Sequence, residues 1–369
     1  MQVKYRDFQR HYSLIKNECL VAIEDVLSEG ELVLGSAVTR FEKEFSAYLN
    51  VKHCVGVGSG TDALELALEA LKLPPESEVV VPANSFIACA EAVTRTGYQV
   101  IFADCDPRTY CLSAESLRKV ITSKTKAVIF VHLFGHPCEM DELMKIAREF
   151  DLKTIEDCSH AHGAEYKGIK VGGFGDISAF SFNPWKNLGA FGDGGAVVTN
   201  NDDLAVRVSL LRNHGYKEGG DHLLEGRNSR LDSIQAAVLS VKLRHLDQWI
   251  ERRREIAASY EYLLRDYEGA VLPYQASSSR HVYHIFNVKF KNRDQMLALF
   301  KHYQVGTLFH YYHSLPELKA YSYIKQDCHD FFAVKENNKF LSLPLTEYMT
   351  DEELVYVCEV IKHGLSSCS

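Results

Sequence analysis

The chain has 369 residues, of which 46% are hydrophobic and 24% are charged. This composition is typical of a globular enzyme with one large core and one smaller one. The net charge of −8, with lysine and arginine scattered along the sequence, offers no basic field to a phosphate backbone, so we expect no nucleic acid partner. No apolar run approaches the roughly 20 residues that cross a bilayer, and residues 1–5 do not resemble a signal peptide. We therefore expect a cytoplasmic protein without a membrane partner.

The ten cysteines never form a Cys-x-x-Cys pair, and most lie inside apolar segments. This pattern favours reduced, buried side chains that act as small hydrophobic residues. Metal ligation is the minor alternative, and no metal is expected.

Apolar periodicity predicts an amphipathic helix over residues 13–28, which Gly30 would cap. From His53 the pattern changes to short apolar strands that alternate with helical runs. Such alternation predicts an α/β protein whose sheet is mainly parallel, with ligands at the carboxyl ends of the strands. The predicted strands are 55–58, 78–82, 99–103, 127–132 and 153–157, and the predicted helices are 61–72, 86–96, 113–122 and 139–150.

A second part of the chain follows a long helix predicted from Asp232 to about residue 262. Two apolar stripes on this helix indicate burial on much of its circumference, so it is expected to bridge two domains. Beyond it we predict a strand at 286–290, a helix at 293–303 and a strand at 306–311. The resulting division is a large domain at residues 1–250 and a small α+β domain at 251–369.

A single lysine, Lys186, lies between two apolar runs predicted to be strands, 177–182 and 196–199. Pro184 and four nearby glycines enforce a turn there, which allows the backbone to approach a ligand closely. A solvated turn lysine is the alternative, since most lysines are exposed.

The segment Gly56–Leu64 ends a predicted strand and opens a helix. Backbone N–H groups at such a helix start bind one phosphate well, whereas the glycine spacing does not match a dinucleotide site. An ordinary turn capped by Ser59 or Thr61 is the alternative.

Asp157 ends another apolar strand, where a desolvated carboxylate needs a cationic partner. A metal site or a hydrolytic His/Asp pair is also compatible with the side chains around it, which are Glu156, Asp157, His160 and His162. No recognisable ligand spacing or nucleophile elbow accompanies them. His162 equally fits a packed turn histidine.

A lysine, a buried carboxylate and a helix-end phosphate site together match the needs of pyridoxal 5′-phosphate. The amine forms a Schiff base, the carboxylate keeps the pyridine nitrogen protonated, and the helix start holds the phosphate.

Several motifs, in order through nearly the whole chain, resemble the DegT/DnrJ/StrS family of nucleotide-sugar aminotransferases. The resemblance implies the aspartate-aminotransferase (type I) fold, pyridoxal 5′-phosphate and a homodimer with shared active sites. The motifs are Ser59–Leu64, Pro82–Ile87, Glu156-Asp157 with Ala161–Ala164, Phe180–Lys186, Gly192–Thr199 and Asn228–Asp232.

Carried over by position, the resemblance makes Lys186 the Schiff-base lysine and Asp157 the partner of the pyridine nitrogen. Phe86 would stack on the ring, and Asn228 would reach the phosphate from the other subunit. The remaining implied phosphate contacts are Gly60, Thr61 and Ser181.

The chain departs from the family pattern at two positions. His160 stands where glutamine is usual near the ring oxygen; it can still donate a hydrogen bond but adds a possible titration. Arg227 replaces a tyrosine and is either a contact to the sugar nucleotide's pyrophosphate or a solvated side chain. His310 and Tyr311 are further candidate substrate contacts.

The residues after Lys186 and around Asn228 are similar to enzymes that aminate C3 of TDP-linked 3-keto-6-deoxyhexoses, with glutamate as the implied donor. The alternatives are amination at C4 and a non-catalytic sugar-nucleotide sensor. A dehydratase of this family would carry histidine in place of Lys186.

Overall fold

The computed structural model describes residues 1–217 and 219–366; Cys368, one of the ten cysteines, lies outside them. The helices are α1 (Phe8–Glu29), α2 (Ser36–Leu49), α3 (Gly60–Leu71), α4 (Ala88–Arg95), α5 (Ala114–Val120), α6 (Met140–Glu149), α7 (Asp202–Leu211), α8 (Ser233–Leu264), α9 (Arg293–His302), α10 (Phe332–Glu336) and α11 (Asp351–Ser366). The strands are β1 (His53–Val57), β2 (Glu78–Pro82), β3 (Gln99–Ala103), β4 (Thr125–Val131), β5 (Lys153–Asp157), β6 (Glu165–Tyr166), β7 (Ile169–Lys170), β8 (Ile177–Ser181), β9 (Gly195–Thr199), β10 (Tyr216–Lys217), β11 (Asp221–His222), β12 (Ala270–Val271), β13 (Ser279–Arg280), β14 (Phe286–Phe290) and β15 (Phe340–Leu343).

The main sheet has seven strands in the order β1-β9-β8-β5-β4-β2-β3. The five strands from β3 to β8 are parallel, whereas β9 is antiparallel to both β8 and β1. All residues of β8 and β9 are buried, as expected of strands covered on both faces. The predicted α/β fold is confirmed.

The register of the central strands sets the position of the predicted carboxylate. Asp157, the last residue of β5, pairs with Val131 of β4 on one side and with Ala179 of β8 on the other. The carboxyl ends of β5 and β8 therefore lie at the same edge of the sheet, where ligands bind in folds of this kind.

A second sheet, β12-β14-β15, is antiparallel and packs with α9 and α11 around a separate hydrophobic core. Helix α8 contributes Leu246 and Ile250 to a core beneath the main sheet, and Ile256 and Tyr260 to this second core. The long helix thus connects two cores, as the sequence suggested. The domain boundary at residue 250 stays a prediction, and Val3 also packs in the second core.

Two local expectations differ from the structure. Helix α1 begins at Phe8, because the Asp7 carboxylate accepts hydrogen bonds from the first-turn N–H groups, and it exposes Leu14 to solvent. Residues 306–311 form no regular strand and make only an isolated bridge, at Leu308. The backbone bonds of this segment are divided: the Gly306 N–H donates to the Val3 carbonyl at 2.8 Å, whereas Leu308 exchanges hydrogen bonds with Ser342 of β15.

Among the described residues, no helix combines the length and the apolar content needed to cross a membrane.

Tyr260 offers a test of the second core. Its side chain is fully buried, stacks on Phe286 at 4.7 Å and donates a hydrogen bond to the Pro344 carbonyl at 2.9 Å. We expect Tyr260→Ala to lower the free energy of unfolding by about 3–5 kcal/mol in urea titrations, because a large cavity remains. The control is Tyr262→Ala on the same helix, where the side chain is exposed and the cost should stay below about 1 kcal/mol. Equal losses in the two variants would contradict this packing.

Candidate active site

A cavity of about 430 Å³ opens at the carboxyl edge of the main sheet. The structure brings nine of the eleven predicted site residues to its wall; the exceptions are Arg227 and Asn228. The nine are Gly60, Thr61, Phe86, Asp157, His160, Ser181, Lys186, His310 and Tyr311.

Asp157 is held at the cavity wall by two hydrogen bonds. The Ser159 N–H donates to Oδ1 at 2.9 Å, and the Cys89 thiol donates to Oδ2 at 3.1 Å. The side chain is buried, with 6% of its residue surface exposed. These bonds fix the direction of the carboxylate. A solvated carboxylate would lack such a fixed direction.

Lys186 lies in the turn that follows β8. The turn is closed by the Lys186 N–H donating to the Asn183 carbonyl at 2.9 Å and by the Ala190 N–H donating to the Phe182 carbonyl at 2.7 Å. Desolvation lowers the pKa of Lys186 to about 8, and the negative charge of Asp157 opposes this shift. About a tenth of the amine is therefore neutral and nucleophilic at pH 7, far more than for an ordinary lysine.

The start of α3 is pressed closely against β8 and β9. A Cβ atom on Gly60 would lie 2.5 Å from the Ser181 Cβ, and one on Gly195 would lie 2.3 Å from the Ser59 carbonyl oxygen, so both positions need glycine. Ser59 caps the helix by accepting the Asp62 N–H at 3.1 Å. Gly60 and Thr61 line the cavity, and their N–H groups lie in the first turn, where a helix offers no backbone acceptor. This arrangement fits a phosphate group.

His160 is neutral in its buried position. Desolvation holds its pKa well below the usual range, and the charge on Lys186 adds to the effect. Its Nδ1 accepts the Phe134 N–H at 3.4 Å, which leaves Nε2 as the protonated nitrogen that can donate. The possible titration of His160 that the sequence suggested therefore lies below neutral pH.

The far side of the cavity is aromatic. Phe86 is 53% exposed, and its ring centre lies 5.9 Å from that of Tyr311. Next to them, the His310 Nδ1 is 2.8 Å from the Ser342 Oγ, and desolvation lowers the pKa of His310 to about 3. These residues present flat, uncharged surfaces to a ligand.

Several wall residues were not predicted from the sequence. The N-terminal segment pairs with Val305 through Val3, and this pairing directs Tyr5 and Arg6 into the cavity. No periodic pattern marks this segment, so only the presence of an arginine there was available as a signal. His284, also missed, packs its ring 4.6 Å from that of His160.

Arg227 and Asn228 lie away from this wall. The Arg227 guanidinium forms ion pairs with Glu65 and Glu69 of α3. Asn228 is exposed, and its Oδ1 accepts the Arg230 Nε–H at 2.9 Å. Their roles at substrate and at a neighbouring subunit's phosphate stay predictions.

Glu156 and His162, which the sequence left open as ligands or catalytic groups, have packing roles in this chain. The buried Glu156 carboxylate accepts the Gly172 and Gly175 N–H groups at 2.9 and 2.8 Å and contacts the His132 Nε2 at 3.0 Å. His162 is fully buried beside Phe180, and desolvation lowers its pKa to about 3.

Comparison with known proteins identifies the family of the chain. The sequence model of the DegT/DnrJ/EryC1/StrS aminotransferase family matches residues 13–362. The chain is 37% identical to a pleiotropic regulatory protein of Geobacillus stearothermophilus, over 98% of both chains. It is 39% identical to the dTDP-3-amino-3,6-dideoxy-alpha-D-galactopyranose transaminase of Aneurinibacillus thermoaerophilus, over 97% of this chain and 98% of the other. The crystal structure of S. venezuelae DesV in complex with a ketimine intermediate superposes with a TM-score of 0.95 at 38% identity, covering 98% of each chain.

The chain belongs to the DegT/DnrJ/EryC1/StrS aminotransferase family. It is an aminotransferase whose cofactor is pyridoxal 5′-phosphate. The cavity fits this cofactor, because it combines an amine of lowered pKa, a buried carboxylate and a glycine-lined helix start.

The lowered pKa of Lys186 can be tested by acetylating the cofactor-free protein with acetic anhydride at a series of pH values. We expect the rate at Lys186, measured by peptide mass spectrometry, to rise with pH and level off above a midpoint of about 8, since only the neutral amine reacts. In Asp157→Asn the midpoint should fall, because the negative charge that raises the pKa is gone. Exposed lysines in the same digest correct for reagent decay. A midpoint above roughly 10 at Lys186, the value of an unperturbed lysine, would contradict the desolvation argument.

Proposed function

We propose that this protein transfers an amino group from glutamate to C3 of a TDP-linked 3-keto-6-deoxyhexose. The observation that carries the reaction type is the Lys186 amine, of lowered pKa, in one cavity with the buried Asp157. The Aneurinibacillus relative is named as a transaminase of a dTDP-3-amino sugar, which supports amination at C3 and TDP as the nucleotide.

The second candidate is amination at C4, because no contact in the cavity by itself selects the carbon. One relative is called a regulatory protein, but membership of the aminotransferase family argues against the non-catalytic sensor. Retention of both Lys186 and Asp157 in a formed cavity favours the enzyme.

Pyridoxal 5′-phosphate, when bound, supplies an aldehyde for the substrate amine and a ring that accepts the electrons of a deprotonated carbon. Asp157 would hold the proton on the ring nitrogen, as its fixed orientation suits a charged hydrogen bond. His160 would donate from Nε2 to the ring oxygen, and the first turn of α3 would bind the phosphate. Phe86 would cover one face of the ring.

Lys186 would carry the proton in both half-reactions. Its amine would accept a proton from the donor carbon and deliver it to the cofactor carbon, and later reverse the transfer for the sugar carbon. A pKa of about 8 suits this work, because the amine can both accept and release a proton near neutral pH.

We further propose a homodimer in which each site is completed by Asn228 of the other subunit. Asn228 is exposed and does not reach the cavity of its own chain. Helix α1 and the turn after it expose Val21, Leu27, Leu32 and Val33, apolar surface that a second copy would cover. In a two-fold dimer the exchange of loops is reciprocal.

The proposed compartment is the cytoplasm. All nine described cysteines are buried and free of disulfides, as expected of a chain that folds under reducing conditions.

The central role of Lys186 predicts the behaviour of Lys186→Ala. Turnover of a TDP-3-keto-6-deoxyhexose with glutamate should fall by roughly 10³-fold or more, because the proton carrier is lost. The purified variant should also lack covalently attached cofactor, measured by borohydride reduction followed by peptide mass spectrometry. Lys52→Ala is the control, since Lys52 pairs with Asp202 on the surface, and it should keep full activity. Retention of activity in Lys186→Ala would overturn the assignment.

The shared site predicts complementation between two inactive variants. Lys186→Ala and Asn228→Asp, each inactive alone, should recover activity when their subunits exchange. In each hybrid, one site would combine a native Lys186 with a native Asn228 from the partner, and the other would carry both defects. Recovery should approach one native site per hybrid dimer.

Native mass spectrometry of differently tagged chains would confirm that hybrids form. Confirmed hybrids without any recovered activity would count against a shared site.

A further inference from the structure

Arg6 is a guanidinium held at the cavity wall by main-chain carbonyls. Its NH1 donates to the Trp185 carbonyl, and its NH2 donates to the His284 carbonyl at 3.3 Å. The guanidinium also lies over the Trp185 ring, 5.3 Å from its centre. A guanidinium has five N–H groups, so three remain for other acceptors.

Other arginines around this region already have carboxylate partners. Arg10 pairs with Glu353 at 2.7 Å, and Arg253 pairs with Glu347 at 2.7 Å. Within residues 1–217 and 219–366, by contrast, no carboxylate forms an ion pair with Arg6. Arg6 is nevertheless half-buried at the cavity wall, and desolvation lowers its pKa. The Glu347 carboxylate acts on Arg6 only from a distance and is itself paired with Arg253. A partly desolvated cation without a direct ion pair is costly, and a bound anion would relieve that cost.

The position of Arg6 relative to Lys186 limits which anion can use it. The guanidinium is bonded to the carbonyl of Trp185, the residue directly before Lys186, and its charge lowers the pKa of the lysine amine. An amino-acid donor must bring its α-amino group to the cofactor carbon that Lys186 would bind. Its α-carboxylate, two bonds from that nitrogen, must then lie within a few ångströms of Lys186.

The other anions of the reaction have different places available. The cofactor phosphate fits the start of α3 at Gly60 and Thr61, on the wall formed with Ser181. The pyrophosphate of a sugar nucleotide is separated from the reacting carbon by the hexose ring. The donor carboxylate is therefore the anion that the location of Arg6 favours.

We propose that Arg6 binds the α-carboxylate of the amino-acid donor. This contact would orient the donor's α-amino group toward the cofactor carbon that Lys186 would bind. This inference rests on the proposed transaminase function. The three free N–H groups allow a bidentate contact with a carboxylate, and the bonds to the Trp185 and His284 carbonyls hold the fork in place. Trp185 limits the movement of the guanidinium by covering its flat face.

The test compares Arg6→Gln, Arg6→Lys and the control Arg10→Gln, which removes a cation from the same N-terminal region outside the cavity. Holoenzyme of each is titrated calorimetrically with glutarate, a donor analogue without an amine, and with thymidine 5′-diphosphate. Arg6→Gln should bind glutarate at least tenfold more weakly and thymidine 5′-diphosphate equally well. Arg6→Lys should lie between wild type and Arg6→Gln, because the charge remains while the fork is lost. Arg10→Gln should match wild type for both ligands.

A second measurement identifies the carboxylate. Wild type should use glutamate far better than isoglutamine, in which only the α-carboxylate is an amide, and Arg6→Gln should lose at least tenfold of this preference in the donor half-reaction. Weakened binding of thymidine 5′-diphosphate alone would assign Arg6 to the nucleotide and overturn the proposal. The proposal would also be overturned if Arg6→Gln, with a native melting temperature and cofactor content, bound glutarate as wild type does and kept the preference for glutamate over isoglutamine. If wild type binds glutarate yet aminates no keto sugar, the proposed substrate is wrong while the assignment of Arg6 is still decided.

Discussion

The opposition between desolvation and charge at Lys186 is the interaction on which the rest of the site depends. Burial favours the neutral amine, and Asp157 favours the charged one, so the two effects together leave the pKa near 8. This balance requires a lysine in a turn after one strand and a carboxylate at the end of its neighbour. The parallel pairing of β5 with β8 places them so, because Asp157 is in register with Ala179.

Close backbone approach is the second requirement, and glycine supplies it. The start of α3 can lie against β8 and β9 only because Gly60 and Gly195 carry no side chain. The same contact brings the free N–H groups of the helix to the carboxyl edge of the sheet, near Asp157. The proposed phosphate site therefore meets the carboxylate and the lysine through the packing of α3 on β8 and β9 together with the pairing of β5 with β8.

The sequence predicted much of this arrangement, and the reasons for its failures are physical. Strands 78–82, 99–103 and 153–157 were predicted with the bounds they have, because short apolar runs mark strands buried on both faces. The strand at 286–290 was also predicted with its bounds, from the alternation of Phe286, Val288 and Phe290. The prediction of a strand at 306–311 was wrong, because the backbone bonds of this segment are divided between the N-terminal segment, at Gly306, and β15, at Leu308. Arg6 was missed for the same reason: its place is set by a pairing between Val3 and Val305, 302 positions apart in the chain. Such long-range pairing leaves no local periodicity to detect.

Helix α8 has a consequence for how the molecule unfolds. It has 32 residues, which corresponds to a length of about 48 Å, and its two halves are buried in different cores. Loss of either core would leave half of a partly apolar helix without its packing, and most helical stability in proteins comes from such packing. The cavity lies between elements that depend on both cores. We therefore expect the two cores to open together, which amide hydrogen exchange along α8 would report as a single event.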